Sequence, residues 1–426
     1  MFVRIGITAL ICSSAFMLTG KTSRACGNDG LQQRGGDPSL TANVRRLSAL
    51  TAARQIDKAE LSKVIHDLRL HRYEAVNRLI AARNGIAGKG QDANETSRKL
   101  AIWDRATDRV AGQKSAAESR LFWHTSLQSA CREAAHTGRP IISLRLLGRL
   151  DEDLSCANSR FFRRVLYPDS EVGDLLRNHF VLHWESVREV PIVTIEFESK
   201  RRLRQPLVGN SVHLVLDPQG RPFDALPGLV SPKVFRSWLS QVDSFWRRSE
   251  TADQRRFWAS AVDYHRDRAK LRRRTSPLAI RPDQRIKDLN PLDPSWQKLS
   301  LTYYQSLNPQ GRERLKRHQF VAAERAMVTA PTKAAVESPL MRMVRTFEQN
   351  MSRDTVFNLF ALQTKIDDWF SAMPQPPDHQ QLTQRIYANA FLMPLDDPWL
   401  GLSPQTAFTA LDSGGRIEPA VYNKIQ

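Results

Sequence analysis

Apolar positions along the chain change period twice, and the changes divide it into three regions. From Ser39 to about Arg120 the spacing is helical, with Leu61, Val64, Ile65 and Leu68 at intervals of three and one and with Leu79 and Ile80 resuming the pattern further on. The Gly-rich run Gly85 to Gly90 interrupts it. Arg83 and Gly90 stand where a phosphate loop needs its first Gly and its Ser or Thr, so the run reads as a linker between helices. A further helix from Leu100 to Ala117 leads to Leu121-Phe122-Trp123.

Between Leu121 and Arg247 helical and strand periods alternate, which predicts one α/β domain. A helix from Thr125 to His136 carries Leu127, Ala130, Cys131 and Ala134 on one face and closes at Gly138. Pro140 opens the strand Ile141 to Leu147, apolar enough to be central in a sheet. The loop Gly148 to Ser155 ends at Cys156, and Phe161, Phe162, Val165 and Leu166 form the inner face of the following helix. A short helix around Glu171 to Leu176 precedes a second strand, Phe180 to Trp184. Val193, Ile195 and Phe197 then alternate with Thr194, Glu196 and Glu198, the period of a half-buried strand in a hairpin that returns by Leu207. Strands Val212 to Leu216 and Phe223 to Leu226 flank Asp217-Pro218-Gln219-Gly220, suited to a type I turn. Ser231 and Pro232 begin a helix that turns Val234, Phe235, Trp238, Leu239 and Val242 inward.

Beyond Arg248 only helices are predicted, among them Gln297 to Leu307, Gly311 to Val328 and Thr355 to Phe370, separated by Pro-rich joints. The stretch Asp397 to Leu402 reads as an ordered loop that packs Trp399 on a core. A length of 426 residues suits two or three domains. The amino terminus differs in kind: Arg4, an apolar segment from Ile5 to Gly20, and a polar stretch ending at Ala25 form the pattern of a cleaved secretory signal. The organisation expected is therefore a signal over 1–25, a helical region over 26–120, the α/β domain over 121–247 and a helical region over 248–426. Export would place the protein in the periplasm or cell envelope of a bacterium. Membrane attachment would follow if Cys26 carries a lipid or the signal stays uncleaved.

Charge alters the picture of partners. The 63 basic against 44 acidic residues leave a formal charge of +19, which favours non-specific binding of polyanions. Sequence-specific nucleic-acid recognition is not indicated, because no zinc finger or aromatic-interleaved RNA-binding signature occurs. The clusters Lys200-Arg201-Arg202, Arg247-Arg248 and Arg272-Arg273-Arg274 read as solvated surface, and Asp367-Asp368 as a solvated helix edge. No cofactor or metal is expected. His179 and His183 are four apart across a strand entrance, a separation of about 13 Å that no single ion spans.

The remaining chemistry is sulfur. Cys12 lies in the signal, leaving Cys26, Cys131 and Cys156, too few for a disulfide framework. Cys156 stands at a loop-to-helix junction, where helix amides lower a thiol pKa and Arg160, Arg163 and Arg164 would add to the effect, against Asp151, Glu152 and Asp153. Ser159 occupies the position three residues on, within reach of a hydrogen bond to a thiolate.

Trp123, Ala134-Ala135, Gly138-Arg139-Pro140, Cys156, Pro168 to Val172, Phe180-Val181, Leu214 to Asp217, Gly220 and Pro227-Gly228 follow in the order found in the exported thioredoxin-like family, which Leu121 to Val242 resembles. The resemblance implies a thioredoxin-like mixed sheet flanked by helices, with Cys156 in the nucleophile's place and catalysis, if any, on Cys156 and Ser159. It also marks three departures, one of them the hairpin Val193 to Leu207 where the family often has a helix. Ser159 replaces the resolving cysteine, so no disulfide closes at the motif. Ser211 stands where the family has a cis-proline opposite the cysteine. The function expected is a non-redox binding or scaffold module that meets protein partners through its thioredoxin-like surface. The alternative is monothiol disulfide exchange or isomerisation through a mixed disulfide on Cys156, with His183 or an Arg as electrostatic aid. Cys131 would resolve that disulfide only if it lay close by.

Overall fold

The computed structural model describes residues 37–53, 57–87, 93–198, 201–249, 251, 253–276, 281, 283–291, 293–296, 298–300 and 351–402. The expected signal, Cys26 and the helices predicted over Gly311 to Val328 lie outside the described residues, as does most of that from Gln297 to Leu307.

The amino-terminal region is a bundle: α1 Pro38–Ala52, α2 Lys58–Arg69, α3 Arg72–Ala87, α4 Ala93–Ala111 and the single turn α5 Ala116–Ser119. Asp37 and Asp57 cap the first two helices by accepting from backbone amides, which satisfies donors that the first turn leaves unpaired. Val64, Ile65 and Leu68 are buried as their period predicts, in an apolar cluster with Leu40, Leu79 and Trp103 that is separate from the main core. Arg69 fastens this bundle to the next region by donating to the carbonyls of Val110 at 2.7 Å and Trp123 at 2.9 Å.

The central region begins with α6 Leu127–Thr137, which ends at Gly138 because that residue takes the left-handed conformation, φ 68°. The strands that follow are β1 Ile141–Leu147, β2 Val181–Arg188, β3 Ile192–Glu196, β4 Arg202–Pro206, β5 Ser211–Leu216 and β6 Pro222–Pro227. Four of them form a mixed sheet in the order β2-β1-β5-β6, with β2 parallel to β1 and the other two neighbours antiparallel. Between β1 and β2 the chain crosses over through α7 Ala157–Phe161, a π-helical turn to Leu166, and α8 Ser170–His179. The parallel pairing requires that crossover. All seven positions of β1 are buried, as a central strand demands. The turn between β5 and β6 closes with Gly220 N–H donating to the Asp217 carbonyl at 2.9 Å, and Gly220 has φ 82°.

After β6 the chain forms α9 Pro232–Arg248 and α10 Gln254–Thr275, and later α11 Thr364–Ala372 and α12 His379–Asn389. Ser231 is the residue before α9, but its hydroxyl makes no cap and its amide instead donates to Thr355 Oγ1 at 3.1 Å. Both sheet faces are covered. His213 pairs across from Leu144 and packs on Phe162, Phe235 and Trp238 from the π-helical turn and α9. Arg145, of opposite parity on β1, meets α12, where Tyr387 Oη donates to its carbonyl at 3.4 Å. The helices after Arg248 share one apolar core with the sheet, with Phe257, Ile366, Phe370 and Ile386 joining Leu144, Phe162 and Phe223.

Three expectations about the carboxy-terminal helices are corrected. Asp367 is wholly buried rather than on a solvated edge, and Arg272 and Arg273 are partnered by Asp367 and Asp368 rather than solvated. Trp399 is half-exposed, while its neighbour Leu400 enters the core. That loop is held by Arg188, which donates to the carbonyls of Leu395 at 3.2 Å and Pro398 at 2.9 Å.

Candidate functional site

Cys156 is the residue before α7, with extended backbone at φ −58° and ψ 160°, and its Sγ accepts from the Ser159 amide at 3.4 Å. The sulfur is therefore a helix cap, a task that hydroxyls and carboxylates perform better. Ser159 does not use its hydroxyl on the sulfur. That hydroxyl lies 3.0 Å from Ser155 Oγ, and the same Ser155 oxygen accepts from Arg163 at 3.0 Å. Arg163 also donates to the carbonyls of Leu150 at 3.1 Å and Glu152 at 2.7 Å, so the acidic loop is folded around its guanidinium. Arg164, expected to favour a thiolate, pairs with Glu118 instead.

The thiol has no outlet to solvent: Cys156 is 0 % exposed. Its walls come from three elements. The lead-in to β5 passes so close that a Cβ on Gly209 would lie 2.1 Å from Cys156 Cβ. Asn158 beside the cysteine donates to Asn210 Oδ1 at 3.2 Å and Ser211 Oγ at 3.1 Å, and Tyr387 from α12 donates to the Asn210 carbonyl at 2.8 Å. The residue pressed against the cysteine is thus Gly209, not Ser211, and no cis peptide bond occurs among the described residues. Burial pushes the Cys156 thiol up, and it outweighs the lowering effect of the Ser159 and Asn158 amides and of Arg163 and Arg160.

Cys131 does not approach. It sits beside Gly220, at the far end of β5 from Gly209, and the six residues of β5 place these ends roughly 20 Å apart. No disulfide links the two described cysteines. His183 is buried in the sheet with Nδ1 2.9 Å from Ser143 Oγ, and burial, aided by Arg145, pushes its imidazole down to about 3. His179 turns elsewhere, to Asp243 at 2.9 Å, so the two histidines meet different partners.

A cleft of about 360 Å³ adjoins the cysteine turn. Asn158, Gly209, Asn210, Phe357 and Asn358 line it, whereas Cys156 does not. The volume is within the range of small-ligand and peptide side-chain pockets. The cysteine turn therefore presents amide side chains and an apolar wall to the cleft, and withholds its sulfur.

One cluster was not foreseen from the sequence. Asp224 of β6, His265 of α10 and Asp367 of α11 bring ligand-type atoms within 4.8 Å of one another. A metal does not fit among them, because the Arg268 guanidinium fills the gap and donates to Asp224 at 2.6 and 2.7 Å and to Asp367 at 2.6 Å. His265 Nδ1 lies 2.7 Å from Asp367 and its Nε2 2.8 Å from the Phe223 carbonyl. Burial would raise the Asp367 carboxyl, but Arg268, Arg272 and His265 reverse that and hold it well below the usual carboxylate range. The signal in the sequence is the recurrence of His265, Arg268 and Arg272 on the face of α10 that also carries Ala261 and Ala269.

Comparison with known protein families, with curated proteins and with solved structures finds no match to this chain.

Proposed function

We propose that this chain is an exported protein whose α/β domain is a thioredoxin-like fold serving as a binding or scaffold module, without thiol-disulfide turnover. The strand order β2-β1-β5-β6, the helical crossover between the parallel pair and the helix after β6 support the thioredoxin-like reading. The observation that carries the loss of redox function is the sealed sulfur. A nucleophilic thiol needs an open approach and a lowered pKa, and Cys156 has a raised pKa and no exposed surface. Partners are proteins that engage the surface around the cleft beside Asn158 and Asn210, and no cofactor enters the proposal.

The test is the pH dependence of alkylation at Cys156 in the folded protein, with Cys156→Ser as the blank. A thiol that reacts only after unfolding, or that titrates at or above about 8.5, is the expected result. Fast alkylation with a pKa near 6 would overturn the scaffold reading and favour monothiol exchange.

A further inference from the structure

The connection between β2 and β5 carries a surface that the cleft does not use. β3 and β4 pair with each other and with no other described strand. Their register sets Ile195 opposite Leu203 and Val193 opposite Gln205 on one face, while Phe197 joins Arg201 at the tip through an N–H to carbonyl bond of 2.8 Å. Ile195 is 48 %, Leu203 49 % and Phe197 52 % exposed, so the apolar face of the ribbon lies open. A two-stranded ribbon is marginal alone in water, and a contiguous apolar face left exposed marks a binding surface.

We propose that this ribbon docks on an anionic lipid surface, with Ile195, Phe197 and Leu203 in the outer acyl layer and Arg201, which shares their face, at the headgroup phosphates. Two observations choose that occupant. The first is charge: residues 192–206 carry four bases against Glu196 and Glu198, Glu196 is taken up by Arg202 at 2.9 Å, and Arg201 on the apolar face enters no ion pair among the described residues. The chain as a whole carries +19. An arginine near an anionic bilayer is attracted to it, and the Arg201 stem can lie along the apolar face while its head reaches phosphate. The second is size. A handful of side chains on a narrow ribbon falls well short of the roughly 800 Å² per partner that a stable protein pair buries. A bilayer requires no matching surface, and its binding scales with inserted apolar area and charge.

Co-sedimentation of the purified full chain with vesicles tests this. Phosphatidylglycerol-containing vesicles should retain the protein at about 0.15 M salt, a screening length of about 8 Å, and pure phosphatidylcholine vesicles should not. The double variant Ile195→Asp/Phe197→Asp should lower retention roughly tenfold or more, and Arg201→Glu roughly fivefold or more. Both substitutions lie outside the core, and an unchanged circular dichroism spectrum confirms the fold. Absence of retention on anionic vesicles overturns the proposal. So does retention that the ribbon variants leave intact, which would assign it to the remaining basic surface. A wild-type dimer that the double variant makes monomeric would also overturn it, by showing that the face meets a second copy.

Discussion

At the scale of the residue, Cys156 shows how position and environment separate. Its place before a helix is that of a nucleophile, but its sulfur accepts one amide and meets no solvent. If the sulfur serves only as a cap, Cys156→Ser should be tolerated, because serine caps helices at least as well. We expect unfolding free energy within about 1 kcal/mol of the wild type by urea titration. Gly209→Ala should behave oppositely. Its new Cβ would lie 2.1 Å from Cys156 Cβ, so backbone must shift, at a cost of about 1–3 kcal/mol read in the same titration. The buried imidazoles give a second residue-scale expectation. Burial pushes His213 and His183 down to about 3. Between pH of about 6.5 and about 3 the unfolded chain binds protons that the folded chain refuses, so stability falls as pH falls through that window. Each histidine contributes a slope of up to about 1.4 kcal/mol per pH unit there and none above it. His213 stands 2.9 Å from Tyr167 Oη, so the paired change His213→Phe/Tyr167→Phe removes both polar groups together. Denaturation midpoints between pH 7 and pH 4.5 should then fall less steeply than in the wild type.

At the scale of the element, α10 and α11 are joined to β6 by charge buried in an apolar core. Arg268 is enclosed between Asp224 and Asp367, and Arg272 completes the carboxylate's partners. Removing one member of such a set leaves its opposite uncompensated in a medium that solvates charge poorly. Asp367→Ala should therefore cost about 3–5 kcal/mol, with loss of the cooperative transition in urea if the wild type is no more stable than that. Replacing the charged set together by apolar residues of similar volume should restore much of it, which separates lost pairing from lost packing. Most elements were legible in the hydrophobic pattern. β1, the Asp217 to Gly220 turn and the inward face of α9 lie where the period placed them, and so does the hairpin, although its apolar face is exposed rather than half-buried. The misreadings of charged residues have one cause. In the sequence Asp367, Arg272 and Arg273 look solvated because charge on a helix usually is, and only a facing helix with complementary charge makes burial affordable.

At the scale of the whole molecule, the helical flanks stand in unlike relations to the sheet. The amino-terminal bundle keeps an apolar cluster of its own and is tied on by Arg69, whereas the carboxy-terminal helices complete the core of the sheet. Through Tyr387 on α12 those helices also close the wall over Cys156, from a point 231 positions away in the chain. The sequence by itself determined the local elements, the strand succession and the candidate cysteine, because period, turn residues and helix-start chemistry act over a few neighbouring positions. It also displayed Ser159, a hydroxyl and not a sulfur, three residues after that cysteine. Only the tertiary structure decided that Gly209 and Tyr387 enclose the thiol, that Ser159 turns to Ser155, and that Arg268 fills the space between two carboxylates. Access, desolvation and ion pairing are set by groups distant in the chain, and no local pattern encodes which of them will meet.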